Sequence, residues 1–92
     1  MLVVISYDIP VDRRRNKVAK ILTDYGDRVQ YSVFEGDLTV KQINQLWQEL
    51  EKVIAPEEDS LRLYRLCGEC APRVKILGQA RPPAETPEVY IV

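Results

Sequence analysis

An α+β fold is predicted by this sequence, because strand-like and helix-like segments alternate along a chain of 92 residues. The strand-like segments are rich in β-branched and aromatic residues, and two other segments carry apolar residues at the spacing of one helical face. The order of the segments is β-α-β-(β)-α-β-β. Two helices interleaved with strands in this order indicate a ferredoxin-like β-α-β-β-α-β sandwich, in which both helices cover one face of an antiparallel sheet.

The first predicted strand is the apolar run from Met1 to Ile5, which leads into Ser6, Tyr7 and Asp8. Apolar residues without polar alternation are typical of a strand that is covered on both faces. The end of such a strand is a rigid platform for a functional side chain, so Asp8 is the first candidate. Because Mg²⁺ typically takes one or two carboxylates together with waters and phosphate oxygens, a symmetric dimer would supply a second aspartate.

The first helix is predicted from Arg13 to Tyr25, with Asp12 as its N-cap and Gly26 as its C-terminal stop. Its apolar residues are Val18, Ile21, Leu22 and Tyr25. The segment from Arg28 to Leu38 is rich in β-branched and aromatic residues and is therefore extended. Whether it forms one strand or two strands with a bend stays open.

The second helix is predicted to begin after Thr39 and to end before Ala55-Pro56. Its apolar face is formed by Ile43, Leu46, Trp47, Leu50 and Ile54. A strand from Leu61 to Leu66 and a shorter extended piece from Val74 to Leu77 follow. We therefore assign residues 1–78 to the ferredoxin-like domain.

Residues 79–92 differ in character from this domain. Three prolines hold the segment from Gln79 to Pro87 extended, and the strand-forming residues Val89 to Val92 follow it. We expect a linker and an extra C-terminal strand, which pairs with a sheet edge of its own copy or of a second copy. A frayed tail is the alternative. Because short domains are often completed by an oligomeric partner, a homodimer is expected.

The basic residues are unevenly distributed. The net charge is −1, yet six Lys or Arg and only two Asp lie between Arg13 and Arg28. The candidates for contacts with nucleic-acid phosphates are Arg13, Arg14, Arg15 and Arg28. Such contacts confer affinity and salt dependence without sequence specificity. A solvated first helical turn is the alternative. Aromatic residues that would stack on unpaired bases are not evident, because Trp47 and Tyr25 fall on apolar helix faces.

Two further patterns limit the function classes. No run is long and apolar enough to cross a bilayer and the N-terminal run has only a strand's length, so a cytoplasmic protein without membrane contact is expected. Cys67 and Cys70 form a CxxC pair, but a structural zinc site needs four ligands and the chain has no histidine. Only dimerisation could complete a zinc site, and a redox dithiol is a second alternative. We favour two reduced cysteines in a turn.

Two sequence blocks, SYDI at residues 6–9 and GDRVQYSVFEG at residues 26–36, flank the arginine-rich helix. Together they strongly resemble the small CRISPR-associated nuclease family, the smaller of the two proteins of the spacer-acquisition machinery. The resemblance implies a ferredoxin-like homodimer that shares C-terminal strands, with Asp8 facing the Asp8 of a second copy across a divalent Mg²⁺ or Mn²⁺. It also implies cleavage of RNA or double-stranded DNA and a CRISPR integrase as partner. The family is further described as a non-catalytic bridge between two integrase dimers.

The residues are compatible with phosphodiester hydrolysis. A Mg²⁺ held by two carboxylates could activate water and polarise the phosphate, and arginines could stabilise the charge on its oxygens. A ribonuclease of the two-histidine kind is excluded, because the chain has no histidine. Asp8 could instead cap a turn or pair with Arg13 or Arg14. Two hypotheses follow: a Mg²⁺-dependent endonuclease that takes part in spacer acquisition, or an adaptor that binds duplex DNA by its backbone and bridges integrase subunits.

Overall fold

A computed structural model describes residues 1–78 of the chain, and these residues form four strands, two α-helices and a short 3₁₀ helix. The strands are β1 (Leu2–Asp8), β2 (Asp27–Gln30), β3 (Val33–Asp37) and β4 (Ser60–Leu66). The helices are α1 (Asp12–Thr23) and α2 (Val40–Glu51), and the 3₁₀ helix is Ala71–Arg73. The predicted linker and terminal strand of residues 79–92 lie outside the described residues, so that division of the chain stays a prediction.

The sheet has the strand order β2-β3-β1-β4, and all of its neighbouring strands are antiparallel. The interior strand β1 pairs with β3 from Leu2 to Ser6 and with β4 along its whole length. The order of the elements and the antiparallel sheet confirm the predicted ferredoxin-like α+β fold.

The predicted extended segment from Arg28 to Leu38 is two strands. Tyr31 and Ser32 form the turn between β2 and β3, and the pairing shifts register between Arg28 and Gln30.

The β2–β3 hairpin has little space at the end opposite this turn. A Cβ atom on Gly36 would lie 2.5 Å from the carbonyl oxygen of Tyr25 and 3.3 Å from the Cα of Gly26. Glycine at these two positions therefore allows the chain after α1 to approach β3.

The core lies between the helices and one face of the sheet. Its members include Val3, Ile5 and Tyr7 from β1, which alternate along the strand. The prediction that β1 is covered on both faces is wrong for the described residues, since Val4 and Ser6 on the other face are only half-buried. The reason is that both helices cover the same face, which leaves the opposite face open.

The two helix starts differ in how well the sequence predicted them. Thr39 caps α2 in a capping box: the amide of Gln42 donates to Thr39 Oγ1 over 3.2 Å, and the Thr39 amide donates to Gln42 Oε1 over 2.9 Å. The assignment of Asp12 as the N-cap of α1 is wrong, because Val11 occupies that position without a side-chain cap. Asp12 lies in the first turn, where its carboxylate pairs with Arg15 and a negative charge suits the helix dipole.

The C-terminal half of α2 contains another correction. Trp47 was expected in the core, yet 38% of it is exposed, because Ile43, Leu46 and Leu50 take the buried face of α2. The helix ends at Glu51, earlier than predicted. Neither helix of the described chain has the length and the apolar character needed to cross a membrane.

Candidate active site

Asp8 is the last residue of β1 and pairs with Ser60, the first residue of β4. Because side chains alternate along a strand and Tyr7 belongs to the core, Asp8 projects from the open face of the sheet. It is exposed, and within residues 1–78 its carboxylate has no hydrogen bond or ion pair. The alternative pairing of Asp8 with Arg13 or Arg14 is therefore not observed. The carboxylate is open to a ligand or to a second copy of the chain.

The backbone that presents Asp8 is held by the β2–β3 hairpin. The amide of Tyr7 donates to the carbonyl oxygen of Ser32 over 3.1 Å, and the Tyr7 phenol donates to the carbonyl oxygen of Tyr31 over 3.2 Å. These bonds join the end of β1 to the turn between two other strands. Asp8 therefore projects from a strand end whose position is fixed. Such preorganisation is what a functional side chain requires.

Arg14 is the second feature that orders this end of the sheet. Its Nε donates to Asp59 Oδ2 over 2.8 Å, and its Nη2 donates to Asp59 Oδ1 over 3.1 Å and to Glu58 Oε2 over 3.2 Å. Asp59 has a fully buried side chain, which also accepts the backbone N–H of Ala55 over 2.8 Å. The hydrogen bond from Arg14 holds the pKa of the Asp59 carboxyl below its usual value, although burial opposes that shift. The ion pair therefore fixes the residue directly before β4.

Arg15 stabilises the turn between β1 and α1. Its Nη1 donates to the carbonyl oxygen of Ile9 over 2.9 Å, and its Nη2 pairs with the carboxylate of Asp12. Ile9 is itself buried. The position of Arg15 is thus set by intramolecular bonds, while 38% of its side chain stays exposed.

Arg13 and Arg28 complete the predicted phosphate-binding set. Arg13 is exposed, and no residue of the described chain bonds to its side chain. Arg28 is also exposed, and its guanidinium carbon lies 5.4 Å from the centroid of the Phe34 ring, in a cation–π contact. Among the four arginines of residues 1–78 that the sequence singled out, Arg14 is the one committed to a partly buried ion pair. Phosphate binding by the four stays a prediction.

A divalent metal would need more ligands than Asp8 alone. Within the described chain, no group of three or more Cys, Asp or Glu side chains is placed to hold a metal ion. Glu35 is half-buried on the same sheet face, and burial raises its pKa, but it pairs with Val4. That position is four residues before Asp8, roughly 13 Å along the strand. One chain therefore fits half of a Mg²⁺ site, and a second copy would have to supply the other carboxylate.

Tyr31 is a site candidate that the sequence analysis missed. It lies at the tip of the β2–β3 hairpin and is 92% exposed, although its carbonyl oxygen is held by Tyr7. An exposed aromatic ring at a fixed position offers a surface on which an unpaired base can stack. The expectation that no aromatic residue would stack on bases rested on the helical residues Trp47 and Tyr25 alone. A division of the extended segment at residues 31–32 would have placed Tyr31 in a turn.

The family model described as "CRISPR associated protein Cas2" matches residues 1–74, from the start of β1 to beyond the end of β4. The chain belongs to the Cas2 family. This result confirms the resemblance inferred from the SYDI and GDRVQYSVFEG blocks.

Individual Cas2 proteins agree with the family match. The chain is 48% identical over 93 residues to a protein of Chloroflexus aurantiacus named CRISPR-associated endoribonuclease Cas2 1, and both chains are covered completely. The structure of Streptococcus pyogenes Cas2 superimposes with a TM-score of 0.74 at 36% identity, covering 85% of this chain and 100% of that chain. A chain of a partial Cas6-RT-Cas1–Cas2 complex superimposes with a TM-score of 0.75 at 28% identity, covering 96% and 95% of the two chains.

Proposed function

We propose that this Cas2 family protein is a metal-dependent endonuclease that hydrolyses phosphodiester bonds of RNA or DNA during CRISPR spacer acquisition. The observation that carries the proposal is the exposed carboxylate of Asp8, which is held at a fixed strand end on the open face of the sheet. The relative from Chloroflexus aurantiacus is named an endoribonuclease, which supports the same class of reaction.

The catalytic unit in this proposal is a homodimer. The open sheet face allows two copies to bring their Asp8 carboxylates together, and two like charges at close range favour a cation between them. Mg²⁺ or Mn²⁺ held there would polarise a phosphate oxygen and lower the pKa of a bound water. The role of Asp8 is to hold the ion, and the fixed ends of β1 and β4 set where it is held.

In this proposal, the substrate is bound by exposed side chains of α1 and of the β2–β3 hairpin. Arg13 is open to phosphate oxygens, and Arg28 offers a guanidinium whose position is supported by the Phe34 ring. Arg15 contributes its exposed portion, whereas phosphate would have to compete with Asp59 for Arg14. The exposed ring of Tyr31 provides stacking for an unpaired base, which favours single-stranded segments as substrate.

The decisive experiment compares the wild type with Asp8→Asn in cleavage of single-stranded RNA and duplex DNA, with Mg²⁺, with Mn²⁺ and with a chelator. Asparagine keeps the size of the side chain but removes its charge, so we expect cleavage to fall on the order of 10²-fold or more. Asp27→Asn is the matched control, because Asp27 is also an exposed strand-end carboxylate without a bonding partner in residues 1–78. Equal cleavage by wild type and Asp8→Asn, or no cleavage by the wild type under any condition, would reject the proposed nuclease activity.

A second candidate function is that of a dimeric adaptor, which binds the backbone of duplex DNA and bridges CRISPR integrase subunits. It is favoured by the structural match to a chain of a partial Cas6-RT-Cas1–Cas2 complex. In this role, Asp8→Asn leaves binding of DNA and integrase unchanged, because neither depends on a metal at Asp8. Affinity measurements on the same variant therefore separate the two functions.

A further inference from the structure

The turn after β4 contains chemistry that the proposed nuclease does not use. Cys67 and Cys70 are both exposed and neither forms a disulfide. The backbone N–H groups of Cys70 and Ala71 donate to the carbonyl oxygen of Cys67 over 3.0 Å and 2.9 Å, which closes one helical turn. The prediction that these cysteines lie in a turn is thus confirmed, and their reduced state stays a prediction.

This turn brings the two thiols within reach of each other. Residues that close a turn at this spacing have Cα atoms less than about 7 Å apart, and disulfides span Cα separations of about 4.4–6.8 Å. The side chains of Cys67 and Cys70 also hydrogen-bond to one another, which lowers the pKa of Cys67 and raises that of Cys70. At Gly68, between them, an added Cβ would meet nothing within 4 Å, so the turn has space to adjust.

We propose that Cys67 and Cys70 form a thiol–disulfide exchange site for low-molecular-weight disulfides such as oxidised glutathione. Cys67 is the attacking residue and Cys70 is the resolving residue. This site does not depend on the proposed nuclease, because it lies at the opposite end of the β1–β4 pair from Asp8.

The reaction has two displacement steps. The Cys67 thiolate attacks one sulfur of the small disulfide, a new S–S bond forms, the original S–S bond breaks, and one thiolate leaves. Cys70 then gives its proton to water, and its thiolate attacks the Cys67 sulfur and releases the second thiolate. The protein loses two electrons and two protons, and the small disulfide becomes two thiols.

The experiment treats the full-length reduced protein with oxidised glutathione, traps free thiols by alkylation at intervals and measures intact mass. We expect the wild type to lose two hydrogens and to retain no glutathione. Cys70→Ser should accumulate one glutathione on Cys67, whereas Cys67→Ser should react roughly tenfold more slowly, because the better thiolate is gone. The double serine variant gives the unreactive baseline.

Two results would overturn the proposal. One is a wild type that accumulates glutathione without an internal disulfide, which would show that the turn does not bring the sulfurs together. The other is equal reaction rates for Cys67→Ser and Cys70→Ser, which would remove the distinction between attacking and resolving residues. Both cysteines are exposed and serine is of similar size, so the circular dichroism spectra of the variants should match that of the wild type.

Discussion

The two ends of the β1–β4 pair are built in different ways. At one end, Asp8 pairs with Ser60, and at the other end Leu2 pairs with Leu66, directly before the Cys67 turn. We call these the aspartate end and the cysteine end. The aspartate end is ordered by polar bonds from elements distant in sequence, whereas the cysteine turn is closed by its own backbone bonds.

This difference shows how a functional residue can be recognised. At the aspartate end, Tyr7 bonds to the hairpin turn and Arg14 bonds to Asp59. We call these bonds the frame of the aspartate end, and the polar side chains that form it have partners. Asp8 is the exposed carboxylate that this frame leaves available. At the cysteine end, apolar burial dominates, with Leu2, Ala71 and Ile76 all buried. An available charged group in an otherwise satisfied frame indicates binding or catalysis more strongly than the same residue in a loose loop.

The largest expected effect on stability is at Gly36, which pairs with Val3 near the cysteine end. In Gly36→Ala, the new Cβ would lie 2.5 Å from the backbone oxygen of Tyr25, which no side-chain rotation can relieve. Overpacking costs about 1–3 kcal/mol and occasionally more. We expect the free energy of unfolding, measured by urea titration, to fall by an amount in the upper part of this range.

Gly68→Ala is the matched control for this prediction. An added Cβ at Gly68 meets no atom within 4 Å, and its φ is not in the left-handed region. The free energy of unfolding should stay within about 0.5 kcal/mol of the wild type. If Gly36→Ala and Gly68→Ala gave the same value, the close approach of the chain after α1 to β3 would be wrong.

The second expected effect breaks the frame of the aspartate end. Arg14→Met leaves the buried carboxylate of Asp59 without its charged partner, so the midpoint of thermal unfolding at pH 7 should fall. Arg13→Met makes the same change at the neighbouring residue, which has no bonding partner in the described part of the chain, and the midpoint should be unchanged.

The sequence predicted those features that depend on local pattern. The apolar spacing of α2 and the Thr39 cap were sufficient to place that helix start, and the alternation of elements was sufficient for the fold class. Asp12 was assigned wrongly because an acidic residue suits both the cap and the first turn of a helix, and local sequence does not distinguish the two. Trp47 was misplaced because a helical face has margins whose burial depends on the neighbouring elements.

The site was predictable only in part, for a related reason. Asp8 was found because its position at a strand end is a local feature of the sequence. The ion pair between Arg14 and Asp59 joins residues 45 positions apart. Nothing in the run of three arginines at residues 13–15 distinguishes Arg14 from Arg13. Tyr31 was missed because its exposure depends on where the hairpin turns. Partners distant in sequence thus decide which members of a basic cluster remain free.

The smallest expected effect is a pH dependence that isolates the Arg14–Asp59 pair. The pKa of Asp59 is held below its usual value by the hydrogen bond from Arg14, so this stabilisation is present above about pH 3.9 and is lost as the pH falls through the lower pKa of the folded state. Arg14 stays charged throughout, and it also bonds to the carboxylate of Glu58. The difference in unfolding midpoint between wild type and Arg14→Met should therefore be constant from pH 8 to about pH 5 and shrink below about pH 4.

Glu58→Gln is the control that separates the exposed carboxylate of Glu58 from the buried carboxylate of Asp59. When the effect of Arg14→Met is measured in the Glu58→Gln protein, the difference in midpoint should still shrink below about pH 4. A difference that remained constant down to about pH 2 would mean that Arg14 stabilises this end through its packing and not through its charge.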